Sequence, residues 1–185
     1  MNMQKTITLK NGAVLLLRSA EEEDAAAFAA HLKQCGGETD FLSFGAEDCP
    51  HTAESCRGEI LTSIQDPRAP CLFAFHGTQL VGEVCIHPSS RKRFQHVGEL
   101  AISITRDFCS QGLGTVLLRE ILALADAVGY DSIKLTVDSD NAAAIRLYRS
   151  FGFVPYGHYE RAAFYRGGYH AVELMCRYRS KEEIQ

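Results

Sequence analysis

The sequence ELAISITRDFCSQGLGTVLLREILALADAVG, residues 99–129, changes its hydrophobic period halfway along. From residue 100 to residue 105, apolar side chains alternate with small or polar ones, which predicts a strand with one buried face. After the turn, apolar residues recur every three or four positions on one helical face, in the series Leu113, Leu117, Ile121, Leu124 and Val128. Gly129 follows, and glycine commonly ends a helix. The segment is therefore predicted to form a strand, a turn and a long amphipathic helix.

The turn between the predicted strand and helix holds Gly112 and Gly114. A helix N-terminus has unpaired backbone N–H groups and the positive end of the helix dipole, so it suits a phosphate. Because glycine has no Cβ atom, a diphosphate could approach those donors closely. A Gly-x-Gly can also be no more than a tight turn. The segment has neither the lysine of a P-loop nor the third glycine of a dinucleotide fingerprint.

Two segments together resemble the hallmarks of the GCN5-related N-acetyltransferases, the GNAT superfamily. The first, FCSQGLGT at residues 108–115, is similar to the loop that binds the pyrophosphate of acetyl-CoA in that family. The second is NAAAIRLY at residues 141–148, followed by FGF at residues 151–153. Their order and separation both fit, and the resemblance covers about residues 12–178. The chain departs from the family at Cys109, usually Gln or Arg, and at Ser110, often Gly.

The remaining elements are predicted from local signals. A first strand is expected at residues 14–18, followed by a helix that Gly36 and Gly37 end. A final hairpin is expected from strands at residues 153–159 and 169–178, joined by a connection at residues 160–168. The full predicted order is β-α-α-β-β-β-α-β-α-β-β, an α/β (α+β) arrangement with a mixed, mostly antiparallel sheet flanked by helices. This order matches what the resemblance implies, and we expect a single N-acetyltransferase domain over residues 1–185.

Composition and charge exclude several classes of protein. Of the 185 residues, 46% are hydrophobic and 23% are charged, which is ordinary for a globular domain. A net charge of −4 and a pI near 6.0 give no reason to expect a nucleic-acid partner. No apolar run is long enough to span a membrane, and residues 1–12 lack the features of a signal peptide. We therefore expect a cytoplasmic protein with no membrane partner.

The seven cysteines are expected to be free thiols. Their number is odd and no Cys-x-x-Cys occurs, so neither a disulfide framework nor a zinc site is indicated, and no metal is expected. A free cysteine packs as a small hydrophobe. Cys109 is the exception, because a thiol near a helix N-terminus can have a lowered pKa.

Acetylation of an amine requires a proton acceptor, a donor to the oxyanion and a proton donor to the leaving thiolate. Glu99 is the predicted base, since it lies on the strand face opposite Leu100 and apolar neighbours would raise its pKa. An exposed strand glutamate is the alternative. Tyr148 is the predicted acid, because a phenol stays protonated at neutral pH. The resemblance implies the same role for this tyrosine, and a packed aromatic is the alternative.

Acetyl-CoA is the expected cosubstrate and acetyl donor. The backbone at residues 102–104 is expected to pair with the amide-bearing pantetheine arm and to supply the oxyanion donor. Asn141 either caps its helix or, as the resemblance implies, contacts the cofactor. The predicted cofactor-binding residues are Ile102, Ser103, Ile104, Cys109, Ser110, Gln111, Gly112, Leu113, Gly114, Thr115, Asn141 and Tyr148.

The acceptor is expected to be a small molecule. Aromatic residues Phe41 and Phe44 could close over a small ligand, and in the resembled fold their segment and residues 160–168 border the acceptor side. Arg161 or Arg166 could pair with a carboxylate.

The predicted function is transfer of acetyl from acetyl-CoA to a primary amine of a small molecule or amino acid by direct attack. Two alternatives stay open: an acetyltransferase for protein N-termini, such as those of ribosomal proteins, and a non-catalytic acyl-CoA-binding module. The presence of both Glu99 and Tyr148 favours the enzyme. The oligomeric state also stays open, with a homodimer among the alternatives.

Overall fold

The computed structural model describes residues 3–179. The strands in this range are β1 Gln4–Thr8, β2 Val14–Ser19, β3 Cys71–His76, β4 Gln79–Pro88, β5 Val97–Ile104, β6 Ser132–Asp138, β7 Val154–Tyr165 and β8 Gly168–Tyr178. The helices are α1 Ala25–Glu38, α2 Ala53–Gln65, α3 Leu113–Val128 and α4 Ala142–Ser150. Across the described residues, no helix has both the length and the apolar character that crossing a membrane would require.

The eight strands form one sheet in the order β1-β2-β3-β4-β5-β6-β8-β7. Every neighbouring pair is antiparallel except β5 and β6, which are parallel. The predicted class, a mixed and mostly antiparallel sheet flanked by helices, is confirmed.

The helices cover both faces of the sheet. Leu117 and Ile121 of α3 belong to one buried cluster, which also takes in Leu72 and Leu100 from the strands. On the other face, α1 and α2 pack on β3 in a second buried cluster. Helix α3 buries a broader face than predicted, because Leu118, Leu122 and Ala125 are buried while Leu124 and Val128 are only partly so. Each fully buried leucine or isoleucine contributes about 1.5–3 kcal/mol.

The sequence prediction missed strand β1. Its sequence, QKTIT, is mostly polar, and as an edge strand it shows no clear hydrophobic alternation. The strand pairs with β2 over five residues, and Lys5 Nζ forms an ion pair of 2.6 Å with Glu120 of α3. The chain therefore begins its sheet one strand earlier than predicted.

The predicted end of the first helix is wrong. Helix α1 passes through Gly36 and Gly37 and continues to Glu38. A Cβ atom on Gly36 would lie 3.0 Å from the carbonyl carbon of Gly45, so this glycine permits close approach of the α1–α2 loop. It is a packing glycine and not a helix terminator.

The predicted connection at residues 160–168 is also wrong. Strand β7 continues to Tyr165, and β8 begins at Gly168, so the turn consists of two residues. Arg166 and Gly167 both have positive φ, +48° and +77°, as hairpin turns of this length require. Most β7 side chains are exposed, so its hydrophobic pattern gave no signal beyond residue 159.

Cys71 and Cys85 are joined in a disulfide, which corrects the expectation of free thiols for this pair. They stand directly opposite each other on β3 and β4. A one-residue register shift between Ala74 and Phe75 produces this pairing, and spacing along the chain does not reveal it. The free thiols are Cys35, Cys49, Cys56, Cys109 and Cys176.

Candidate active site

Strands β5 and β6 part after a short ladder, and the space between their edges is the candidate cofactor cleft. Their parallel ladder comprises three residue pairs, the last being Glu99 with Lys134. Beyond that pair, β5 continues to Ile104 with β4 as its partner, and β6 continues to Asp138 with β8 as its partner. The facing edges of the two strands therefore offer backbone groups to an extended ligand.

The glycine turn lies at one end of this cleft. A short 3-10 turn at residues 106–108 follows β5, and α3 begins at Leu113. Ser110 and Gly112 have φ of +60° and +93°, the left-handed conformation that favours glycine. The turn therefore leads directly into a 16-residue helix, and the first N–H groups of that helix have no intrahelical partner.

Gly114 has a packing role that the sequence did not indicate, and its predicted contact with the cofactor stays a prediction. A Cβ atom on Gly114 would lie 2.9 Å from Leu147 Cδ2 and 3.5 Å from Ile104 Cδ1. This glycine therefore lets α4 pack closely against the first turn of α3. The close packing brings the second family segment, residues 141–148, beside the glycine turn.

Lys10 also lies at the glycine turn, and sequence reasoning missed it. The residue follows β1, and its backbone N–H donates to the Gln111 carbonyl oxygen at 3.2 Å. Its Cε atom is 3.7 Å from the position that a Cβ of Gly112 would occupy. An exposed ammonium group therefore accompanies the helix N-terminus. The signal was the Lys-Asn-Gly turn at residues 10–12, which has meaning only once β1 is recognised.

The Cys109 thiol does not have the lowered pKa expected near a helix N-terminus. Its sulfur lies 3.6 Å and 3.5 Å from the carbonyl oxygens of Ile104 and Thr105, to which the S–H can donate. Burial and, to a lesser degree, Glu38 raise the pKa of the thiol.

We predict that Cys109→Ala leaves the affinity for acetyl-CoA within about twofold of the wild type, since the thiol is directed to backbone carbonyls and a loss below about 0.5 kcal/mol is typical of such changes. Isothermal titration with acetyl-CoA measures this. A loss of tenfold or more would show that the sulfur is a cofactor contact after all.

Glu99 lacks the apolar surroundings that were expected. Its side chain is 52% exposed, and Glu99 Oε2 lies 2.9 Å from Lys134 Nζ. The two residues share a face because the parallel ladder aligns them. The argument for a desolvated carboxylate is therefore wrong, and a role for Glu99 as the base stays a prediction.

Helix α4 holds Asn141 and Tyr148. The Asn141 side-chain oxygen accepts from Ala144 N at 3.1 Å, so the residue caps the helix and only its NH2 group is left for a cofactor. Tyr148 is buried, with its ring centroid 5.8 Å from that of Phe153. Burial and the nearby Glu83 carboxyl raise the pKa of Tyr148, so its hydroxyl keeps its proton at neutral pH.

A buried polar chain crosses the sheet face that α1 covers. Glu83 of β4 is 3% exposed, and its Oε1 lies 2.9 Å from Ser103 Oγ on β5. His31 of α1 places Nε2 2.8 Å from the same Oγ. Burial raises the pKa of Glu83 to about 8 and lowers that of His31 to about 4. The signal in the sequence was an acid inside the apolar strand LVGEVCI, residues 80–86.

The predicted acceptor residues lie on two segments that are tied together. Arg166, in the β7–β8 turn, forms an ion pair with Asp40 in the α1–α2 loop. The guanidinium of Arg161 lies on β7, 5.3 Å from the Tyr169 ring centroid. Phe41 is exposed, whereas Phe44 packs edge-on against His51 with centroids 5.1 Å apart.

The last residue of α1, where the α1–α2 loop starts, is tied to the 3-10 turn that precedes the glycine turn. Glu38 Oε2 accepts from the backbone N–H of Arg106 at 2.6 Å, and the Arg106 guanidinium donates to the Glu38 carbonyl oxygen. The loop therefore runs from the turn before α3 to the β7–β8 hairpin, along the predicted acceptor side.

Within residues 3–179, one group of side chains has the spacing of metal ligands. It comprises Glu59, Cys71 and Cys85, whose ligand atoms lie within 4.8 Å of one another. The two sulfur atoms are bonded to each other, so they are not thiolate ligands in this structure.

Comparison with known proteins agrees with this geometry. The family model of the acetyltransferase (GNAT) family matches residues 38–153. The chain therefore belongs to the GNAT family, which confirms the resemblance. It is 32% identical over 129 residues to L-amino acid N-acetyltransferase AaaT of Escherichia coli K12, an alignment that covers 69% of this chain and 78% of the relative.

Solved structures have the same fold. An acetyltransferase of the GNAT family from Streptococcus pneumoniae superposes with a TM-score of 0.84 at 35% identity, covering 90% of this chain and 99% of that one. The putative acetyltransferase yncA from Salmonella typhimurium, solved with its cofactor acetyl-CoA, gives a TM-score of 0.80 at 19% identity, covering 90% and 95%.

Proposed function

We propose that this protein transfers acetyl from acetyl-CoA to the primary amine of a small molecule or amino acid. The observation that carries the proposal is the parting of β5 and β6 after three residue pairs, beside a glycine turn and the buried Tyr148. The relative named L-amino acid N-acetyltransferase supports the reaction class and the kind of acceptor. We also propose that residues 1–185 act as one domain in the cytoplasm.

The residues present fit acetyl-CoA. The left-handed turn at Ser110 and Gly112 precedes the N-terminus of α3, where backbone donors suit a diphosphate. Lys10 adds a positive charge at that place. Residues 100–104 of β5 offer an open strand edge for the amide-bearing pantetheine arm.

In the proposed reaction, the amine nitrogen bonds to the thioester carbonyl carbon and the carbon–sulfur bond then breaks. Tyr148 gives its proton to the departing thiolate. The raised pKa of Tyr148 keeps this proton on the hydroxyl at neutral pH. A backbone N–H on the open edge of β5 stabilises the oxyanion. The amine must lose a proton for the transfer to be complete.

The tied α1–α2 loop favours a small acceptor. The loop is held at its start by the contact of Glu38 with Arg106 and further on by the ion pair of Asp40 with Arg166, whereas a peptide would require an open groove. Since Arg166 is already paired with Asp40, its first role is to hold the loop, and a substrate carboxylate would have to share it.

We predict that free amino acids and small amines are acetylated at least tenfold faster, by kcat/KM, than short peptides. Arg166→Ala is expected to raise KM for the acceptor by up to about fivefold, because the exposed ion pair that holds the loop is worth at most about 1 kcal/mol. The assay measures free thiol released from acetyl-CoA. Arg119→Ala, an exposed arginine of α3, is the matched control.

The alternatives give different results in the same assay. Turnover of peptides alone, with Arg166→Ala neutral, would identify an acetyltransferase for protein N-termini. Tight binding of acetyl-CoA without turnover of any amine would identify a binding module.

A further inference from the structure

The buried chain of Glu83, Ser103 and His31 contains titratable groups that the reaction as described does not use. The three residues come from β4, β5 and α1 and are all buried. Ser103 lies on the half of β5 that does not pair with β6, in the segment expected to pair with the pantetheine arm. Removing such groups from water costs free energy, so a buried carboxyl at this place is a candidate for a functional group.

The hydrogen bonds of this chain have a direction that one backbone atom sets. His31 Nδ1 lies 3.2 Å from the carbonyl oxygen of Leu80, which can only accept, so Nδ1 carries the hydrogen. His31 is neutral, and its Nε2 can therefore accept from the Ser103 hydroxyl at 2.8 Å. The Ser103 hydroxyl has one hydrogen, so it donates to Glu83 Oε1 when that carboxyl is ionised, and it can donate to His31 while accepting from Glu83 only when the carboxyl is protonated.

The direction of the hydrogen bond between Ser103 and Glu83 reverses when Glu83 loses its proton. A carboxylate only accepts, so the Ser103 hydroxyl turns its hydrogen to Glu83 Oε1. The Oγ lone pairs are then available to take a proton from another group. Ser103 belongs to the half of β5 that no longer pairs with β6, so its hydroxyl can link this half of the strand to the buried carboxylate.

We propose that Glu83 takes the proton of the acceptor amine through the hydroxyl of Ser103, and that His31 positions this hydroxyl. The proposal rests on the proposed acetyltransferase function. The amine N–H bond breaks as a new O–H bond forms on Ser103, and the original Ser103 proton bonds to the Glu83 carboxylate. Glu83 gains one proton while Tyr148 loses one to the thiolate, so return of one proton from Glu83 to Tyr148 resets the site.

Other titratable groups surround these three residues. On α1, the Cys35 sulfur lies 3.6 Å from His31 Nε2, and burial raises its pKa to about 12. Glu38 acts on His31 from the end of α1. The Cys85 sulfur, bonded to Cys71, lies 3.5 Å from Glu83 Oε2. Glu59 on α2 and Tyr148 on α4 interact with Glu83 through space.

The proposal predicts the pH dependence of kcat. Glu83 accepts a proton only when ionised, so wild-type kcat falls as pH decreases below about 8. Glu83→Gln is expected to lower kcat about 10²–10⁴-fold and to remove this inflection. In His31→Gln the amide N–H donates to Ser103 Oγ and frees the hydroxyl hydrogen for the carboxylate. This favours the ionised form of Glu83, so the inflection moves to lower pH.

Ser103 provides a pair of variants that separates the relay from packing. Ser103→Thr keeps a hydroxyl and is expected to keep kcat within about tenfold, whereas Ser103→Ala is expected to lose about as much as Glu83→Gln. Circular dichroism and titration with acetyl-CoA identify any variant that fails to fold. Glu54→Gln, at an exposed acid in the first turn of α2, is the control that is expected to retain the inflection, and Glu99→Gln tests the other predicted base.

The outcomes distinguish the two proposals. A wild-type protein that acetylates no amine would reject the proposed function and the relay together. A wild type that turns over, with Glu83→Gln or Ser103→Ala retaining the kcat and the inflection, would reject the relay alone. Loss of the inflection in Glu99→Gln would assign the proton to Glu99 and overturn the role of Glu83.

Discussion

Tyr148→Phe is expected to lower kcat by about 10²–10⁴-fold while leaving the affinity for acetyl-CoA unchanged. The hydroxyl is the only group removed, and the ring keeps its place against Phe153. Without a proton donor, the thiolate must leave unprotonated, which raises the barrier of the step that breaks the carbon–sulfur bond. Steady-state kinetics and isothermal titration measure the two quantities separately.

Tyr130→Phe is the matched control for this variant. Tyr130 is also buried, and its hydroxyl donates to the Arg68 carbonyl oxygen at 2.6 Å. Its loss is expected to reduce the free energy of unfolding by about 1 kcal/mol and to leave kcat alone. If Tyr148→Phe retained the wild-type kcat, Tyr148 would be a packed aromatic and the reaction would depend on positioning alone.

Gly112→Val is expected to weaken acetyl-CoA binding by about 100-fold or more, which corresponds to the loss of two contacts of about 1.4 kcal/mol each. Gly112 has a φ of +93° at the N-cap of α3, where a β-branched side chain is strained and would stand between the diphosphate and its donors. Isothermal titration with acetyl-CoA measures the change.

Gly129→Val is the control that distinguishes backbone strain from loss of ligand contacts. Gly129 ends the same helix with a φ of +87°, and the nearest atom to an added Cβ is 3.9 Å away. Both variants are expected to lose similar stability on heating, but only Gly112→Val is expected to lose affinity. Equal affinity losses in the two variants would mean that the glycine turn is not the diphosphate site.

The elements with strong periodicity were predictable from the sequence. Helix α3 was predicted from its apolar period and from Gly129, and it runs over Leu113–Val128 with Gly129 at its C-cap. Strands β1 and β7 were mispredicted because both are exposed edge elements, and burial is what creates a pattern of period two.

The missed features of the site depend on contacts distant in sequence. Glu83 contacts Ser103, and Ser103 contacts His31, only because of the strand register and the packing of α1. The local sequence therefore indicated this site only by one acidic residue within an apolar strand. The apolar setting expected for Glu99 failed for the same reason, because the parallel register places Lys134 beside it.

The short ladder between β5 and β6 links ligand binding to the stability of the whole sheet. The two halves of the sheet are joined at its centre by only three residue pairs, fewer than between any other two neighbouring strands. A pantetheine arm that paired with both open edges would extend this connection like an added strand. A ligand that binds only the folded state raises the free energy of unfolding by about 2.7 kcal/mol at a concentration of 100 times its Kd. The concentration of acetyl-CoA in the cell would then set the stability of the protein against unfolding as well as its rate of turnover.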